Sequence, residues 1–290
     1  IIQAIVAKMQ RNLDCRQMVQ LKAVLASELH NVEIVEKKEY AQVYRTAEYD
    51  NDLKYVKGQF VARRALEVAV SGNHNIILEG PPGAGKTMLA KCIPSIMPDM
   101  SFREALETTK IHSVAGKMKD TEGIVYRRPF MSPHHTASRV SIIGGGQSAK
   151  PGVVSLAHNG VLFLDEMPEY PRSVLESLRQ PLEDRVITVT RVKANLEYPA
   201  SFMLAGSMNP CPCGYYGSKD RECTCSPTQI KKYRERISGP LLDRMELVEL
   251  SGYATEEKEQ IALRHLVKRS LEDHGFAPDA IRFTPDGIRA

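Results

Sequence analysis

The sequence lacks several features that would narrow its class at once. No apolar run approaches the roughly 20 residues needed to cross a bilayer, so no helical membrane span and no membrane partner are predicted. The opening stretch, IIQAIVAKMQ, has no basic residues before its apolar part and no small-residue cleavage site after it. It therefore does not read as a secretory signal. No internal repeat is present, which argues against a solenoid. Six cysteines in 290 residues are too few for a disulfide scaffold. Charge of one sign is also scarce. Lys and Arg number 39 against 35 Asp and Glu, a formal balance of +4. That excess is too weak to announce a nucleic-acid binder, although clustered basic residues would still permit one.

What is present is ordinary for a folded protein: 42% hydrophobic and 26% charged residues. This excludes disordered and collagen-like chains. The length suits one large domain or two modest ones. Apolar residues recur at helical spacing from Ile5 to Leu29, and a polar linker follows at 40–52. Helices are predicted over 58–70, from Lys86 onward, over 173–182, 229–237 and 255–274. Short apolar strands are predicted at 75–79, 161–164 and 202–208, and a hairpin at 186–192 and 195–198. The stretch 102–152 reads as irregular and glycine-rich. Strands alternating with helices predict a parallel α/β sheet. The chain begins at Ile1 and stops in mid-pattern at Ala290, so a fragment of a longer protein is expected. The cytoplasm is the expected compartment, with reduced cysteines.

Chemistry concentrates after the first strand. Gly80-Pro81-Pro82-Gly83-Ala84-Gly85-Lys86-Thr87 fits G-x-x-x-x-G-K-[ST], between a strand and a helix. Glycines let successive backbone N–H groups turn inward around phosphate oxygens, and the helix start adds its positive end. Lys86 would neutralise the β- and γ-phosphates, and the Thr87 hydroxyl would ligate Mg²⁺. The strand VLFL ends in Asp165-Glu166. Asp165 would hold the Mg²⁺ shell, and Glu166 would orient and polarise the attacking water. The strand FMLAGSM ends at Asn209-Pro210, and Asn209 at its tip could contact both the γ-phosphate and the water. Together these point to ATP hydrolysis.

Cys211-Pro-Cys213 and Cys223-Thr-Cys225 offer four thiols close in sequence. Two readings stand: a structural Zn²⁺ site, or reduced thiols without metal. Cys15 and Cys92 read as packing residues. Arg185, Arg191 and Lys193 on the hairpin, with Arg139 and Lys150 in the glycine-rich insert, could track nucleic-acid phosphates. They could equally be solvated charged turns. The run 231–236 reads as a solvated basic helix face. His134-His135 has no evident carboxylate neighbour and reads as structural.

In this order, the motifs resemble the AAA+ ATPases, and more specifically the magnesium-chelatase-like ComM/YifB family. The resemblance covers about 56–244, through VKGQ (56–59), HNIILEGPPGAGKTMLA (74–90), EALETTKIHSVAG (104–116), RPFMSPHHT (128–136), IGGG (143–146), SLAHNGVLFLDEMPE (155–169), LRQPLEDR (178–185), AGSMNPCPCGYYG (205–217) and ISGPLLDR (237–244). It implies a P-loop AAA+ three-layer α/β core with a parallel sheet and a partial C-terminal helical lid. It also implies a homo-oligomeric ring, a hexamer, that hydrolyses ATP to move DNA, with helicase and branch-migration activity. It places Val56 and Gly58 among the nucleotide-binding residues, makes Asn209 a sensor, and makes Arg244 the finger that reaches a neighbour's ATP. The implied domains are a helical segment and linker at 1–48, the ATPase core with its insert and cysteine cluster at 49–250, and the start of the lid at 251–290. Two departures stand out. The Lon-protease-like domain that usually precedes the family's ATPase is not matched by the first 50 or so residues. The tail at 245–276 resembles the lid of Lon-type proteases instead. Rival readings are the motor of a Lon-like protease, an ATPase subunit of a magnesium chelatase, and a nucleotide-binding module without turnover.

Overall fold

The computed structural model describes residues 49–118, 123–146, 149–190, 195–218, 221–253, 258–259, 261–277 and 281. The expected helices at 1–48, and Cys15 with them, lie outside the described residues. So do Arg191 and Lys193.

A short turn at Leu53–Tyr55 leads into helix α1 (Phe60–Gly72) and strand β1 (Asn75–Glu79). Helix α2 (Lys86–Ile96) follows the glycine-rich loop, and α3 (Phe102–Val114) comes next. Then come strand β2 (Phe130–Met131), helix α4 (Arg139–Ile143), the small strands β3 (Gly144–Gly145) and β4 (Lys150–Pro151), and helix α5 (Val153–Leu156). Strand β5 (Val161–Leu164), helices α6 (Arg172–Ser177) and α7 (Arg179–Asp184), and the hairpin β6 (Val186–Thr190) and β7 (Asn195–Pro199) precede β8 (Met203–Met208). Helices α8 (Pro227–Arg234) and α9 (Gly239–Leu242), strand β9 (Met245–Glu249) and helix α10 (Val267–Asp273) follow, with short helical turns at Met167–Glu169 and at Ala262–Leu266, which runs into α10.

Five strands form one parallel sheet in the order β2-β5-β8-β1-β9. Alternation along each strand builds the layers. Ile76, Leu78, Val161, Phe163, Met203 and Ala205 face one way, onto Leu66 of α1 and Leu89 and Ile93 of α2. Ile77, Leu162, Leu164 and Leu204 face the other way, onto Val174, Leu175, Ile187 and Leu241. Strands buried on both faces read as continuous apolar runs, which is why NIILE and VLFL were legible. The result is the three-layer α/β architecture.

Three differences from the sequence reading have physical causes. The stretch 102–152 is not irregular throughout, because α3 starts on a capping box. The Ser101 hydroxyl accepts the Glu104 N–H, and the Glu104 carboxylate accepts the Ser101 N–H. The helix read over 173–182 is two short helices that break at Leu178. Strand β9 carried no apolar run because only Met245 and Val248 are buried on this edge strand. Among the described residues no helix is long and apolar enough to cross a membrane.

Candidate active site

In a parallel sheet all strands end on one edge, and ligands collect there. Here β1, β5 and β8 deliver the glycine-rich loop, Asp165-Glu166 and Asn209 to that edge. The loop follows β1 directly, and the Gly80 N–H donates to Met208 O at 3.2 Å. A Cβ on Gly80 would sit 2.7 Å from Leu250 O, so only glycine fits. Gly83 and Gly85 adopt left-handed φ values of 78° and 84°, a region that favours glycine. No atom stands within 4 Å of a Cβ built on Gly83, so its face of the loop is open to a ligand. Ala84 is buried in the same cluster as Val56, just after the Leu53–Tyr55 turn. Gly58 and Gln59 take positive φ, and the Gln59 amide donates to Ser251 O at 2.9 Å.

Lys86 is held in place by acceptors. Its Nζ donates to Gly80 O (2.6 Å), Pro81 O (2.9 Å) and Asn209 Oδ1 (3.0 Å). Burial pushes the Lys86 pKa below its ordinary value, while Asp165 and Glu166 pull it back up. A partly desolvated ammonium aimed into an open glycine cradle fits an anionic phosphate better than it fits neutral carbonyls.

Asp165 is anchored at both oxygens. Thr87 Oγ1 donates to Oδ2 at 2.9 Å, and Ser207 Oγ donates to Oδ1 at 2.5 Å. The same Ser207 hydroxyl accepts the Glu166 N–H at 3.0 Å. Thr87 and Asp165 thus offer adjoining hard oxygen ligands, a donor set suited to Mg²⁺. Glu166 sits at φ 51°, which turns its side chain out of the sheet to 58% exposure. His135 Nδ1 lies 4.0 Å from Glu166 Oε2, so the fold supplies the carboxylate that the sequence around His134-His135 did not.

Sequence reasoning missed Ser207 and the partners of α8. The signal for Ser207 is a lone hydroxyl in an otherwise apolar buried strand. Tyr233 on α8 is pushed up to about 12 by burial, while the Asn209 backbone N–H donates to its hydroxyl and opposes the rise. Arg234 pairs with the buried carboxylate of Glu79, whose pKa burial raises and Arg234 lowers. Arg236 bonds Glu169 at 2.7 Å. The basic residues of the run 231–236 are all exposed, as a solvated face requires, and three of them also make ion pairs. Lys231 pairs with Glu235 on the helix surface, whereas Arg234 and Arg236 reach Glu79 and Glu169 outside the helix.

Arg244 lies at the opposite edge of the sheet. It precedes Met245, which pairs with Asn75 at the start of β1, and its carbonyl accepts from the Asn75 amide at 3.1 Å. Its guanidinium bonds Glu183 and Pro240 O. One strand length, about 15 Å, separates it from the phosphate loop of its own chain. Of the other basic candidates, Arg139, Lys150 and Arg185 are exposed. Tyr198 on the hairpin bonds Ala149 O at 2.7 Å, which ties hairpin and insert together.

The four cysteines converge, with all Sγ atoms within 4.8 Å of one another. Cys92 is buried in the core, and burial lifts its thiol to about 11. Backbone N–H groups of Tyr215 and Thr224 draw Cys213 down to about 6. Cys223 receives the Cys225 N–H yet is pushed up by loss of water and by neighbouring sulfurs.

Comparison with known proteins places this geometry. The family described as magnesium chelatase, subunit ChlI, matches residues 52–258. YifB of Escherichia coli and competence protein ComM of Haemophilus influenzae are each 47% identical over 197 residues, 68% of this chain. The match covers 38% of each relative, so this chain corresponds to well under two thirds of their length. Among solved structures, NtrX of Brucella abortus in complex with ATP shares the fold. Its TM-score is 0.51 at 19% identity, over all of this chain and 59% of that one.

Proposed function

The chain belongs to the magnesium chelatase, subunit ChlI, family and has the AAA+ ATPase fold, and on that premise we propose that it hydrolyses ATP in a homo-oligomeric ring, a hexamer, to move DNA. The observation that carries the ATPase reading is the set of bonds at the carboxyl edge: Lys86 to Asn209, and Thr87 and Ser207 to Asp165. Such an arrangement serves phosphoryl transfer, where positioning and charge do most of the catalysis.

In this reading Gly80, Pro81, Pro82, Gly83, Ala84 and Gly85 wrap the phosphates, and Lys86 exchanges its carbonyl partners for phosphate oxygens. Thr87 and Asp165 hold Mg²⁺, which supplies positive charge to the β- and γ-phosphates. The exposed Glu166 carboxylate orients and polarises the attacking water. Asn209 senses the γ-phosphate. Val56 and Gly58 border the nucleotide. Arg244 acts on the ATP of a neighbouring subunit, because its own loop is a strand length away. The core spans 49–250, and the lid starts at 251. The four cysteines add a Zn²⁺ site, and the cytoplasm is the compartment.

The DNA half of the reading draws on the resemblance to the ComM/YifB family and on Arg139, Lys150 and Arg185. These exposed cations lie on or beside the linked hairpin and insert and suit sequence-independent phosphate contacts. The test is ATP turnover measured with forked or four-way DNA, and separately with a casein-like unfolded protein. DNA is expected to stimulate and the unfolded protein is not. The reverse result would assign the chain to a protease motor instead.

A further inference from the structure

The cysteine quartet joins two parts of the ATP site. Cys211 lies two residues beyond Asn209, and Cys225 immediately precedes Ser226, the N-cap of α8. Helix α8 in turn carries Tyr233 against Asn209 and Arg234 against Glu79. Between the cysteine pairs, Gly214 turns at φ 86°, and a Cβ built there would meet Pro82 Cδ at 2.7 Å. The turn that carries Cys211 and Cys213 is therefore pressed directly onto the phosphate loop.

The sulfur geometry is that of a metal site. Cys211 Sγ lies 3.3 Å from Cys213 Sγ and 3.7 Å from Cys223 Sγ, and Cys213 Sγ lies 3.6 Å from Cys223 Sγ. Zn–S bonds of about 2.3 Å put tetrahedral ligand sulfurs about 3.8 Å apart. Backbone N–H groups already point at the sulfurs, from Tyr216 to Cys211 (3.3 Å) and from Cys225 to Cys223 (3.4 Å). These donors stabilise thiolate charge and fix ligand orientation. Four sulfur ligands fill a tetrahedral shell, which selects a closed, structural Zn²⁺ site over a catalytic one.

We infer that Cys211, Cys213, Cys223 and Cys225 hold one Zn²⁺ as a four-thiolate clamp, and that the filled clamp sets Asn209 and Pro82 for ATP hydrolysis. The second half rests on the ATPase reading above. Without the metal, four crowded thiols have no common centre, and the turn on Pro82 loses its anchor.

The experiment uses the chain within its full-length protein, purified with reduced thiols and without chelator. Elemental analysis is expected to give one Zn²⁺ per chain. Co²⁺ exchange is expected to give the intense near-ultraviolet charge-transfer bands of a tetrahedral tetrathiolate. Cys223→Ser with Cys225→Ser should lose the metal and lower kcat about tenfold or more, with KM for ATP within about threefold. Gly214→Ala tests the coupling with all four ligands kept: zinc should remain while kcat falls. Lys86→Ala should lose ATP binding and keep its zinc, which separates the clamp from the ATPase reading. Absence of zinc from the reduced, unmodified protein, or a Co²⁺ spectrum without thiolate bands, overturns the site. Zinc loss with kcat unchanged, or Gly214→Ala with unchanged kcat, overturns the coupling. If the unmodified protein hydrolyses no ATP, the coupling falls with the ATPase reading and the metal count still decides the site.

Discussion

The two edges of the central sheet are built on opposite terms. At the carboxyl edge Lys86 and Asp165 find their partners inside the chain: Lys86 has three acceptors, and Asp165 has a donor on each oxygen. At the amino edge Arg244 rests on Glu183 with both side chains substantially exposed, 33% and 48%. An exposed pair of this kind is worth less than about 1 kcal/mol. One edge is a finished site whose parts restrain one another. The other carries a strong cation on a weak intramolecular contact, which leaves it available for the role between subunits proposed above.

The contrast can be broken at either edge. Lys86→Ala should have the largest effect. ATP hydrolysis should become undetectable and nucleotide binding should fall by at least about 100-fold, as read by turnover and by equilibrium binding. Normal turnover would remove the carboxyl edge as the active site. Arg244→Ala should lower kcat by roughly 10³-fold while ATP binding is kept within a few-fold. The sharper form mixes this variant with Glu166→Gln at equal amounts. Sites that keep Glu166 can then borrow an arginine from the neighbour, and activity should rise above that of either variant alone. No rescue would mean that Arg244 does not act between subunits. The smallest effect is expected for Glu183→Ala: less than about 1 kcal/mol in denaturant unfolding, with hydrolysis at or above the parent rate. A large stability loss would show that the amino edge is more self-contained than its exposure implies.

Legibility in the sequence divided local runs from contacts made only in the folded chain. The phosphate loop and Asp165-Glu166 were readable because each is one local run with its strand beside it. Ser207 was not, since its meaning depends on Asp165, 42 positions away in sequence. His135 was read as structural because Glu166 joins it only across the folded chain. The cysteine spacing was readable as four ligands, but its contact with Pro82 was not. Helix α3 was hidden by the glycine-rich text after it, although its capping box, Ser101 with Glu104, was written locally. Strand β9 was hidden because an edge strand with two buried residues has no apolar run.

The strand order also has a consequence for how the chain is made. Strand β1 carries the phosphate loop and ends up between β8 and β9. Its first residue, Asn75, bonds Leu204, 129 positions later, and the Arg244 carbonyl, 169 positions later. On a ribosome adding about 5–20 residues per second, β1 waits roughly 6–26 s for its first neighbour. Through that interval NIILE is an unpaired apolar strand, the kind of edge that chaperones cover and other chains capture. Pairing of β1 must therefore wait for the synthesis of β8, and this apolar strand is exposed before the sheet can close.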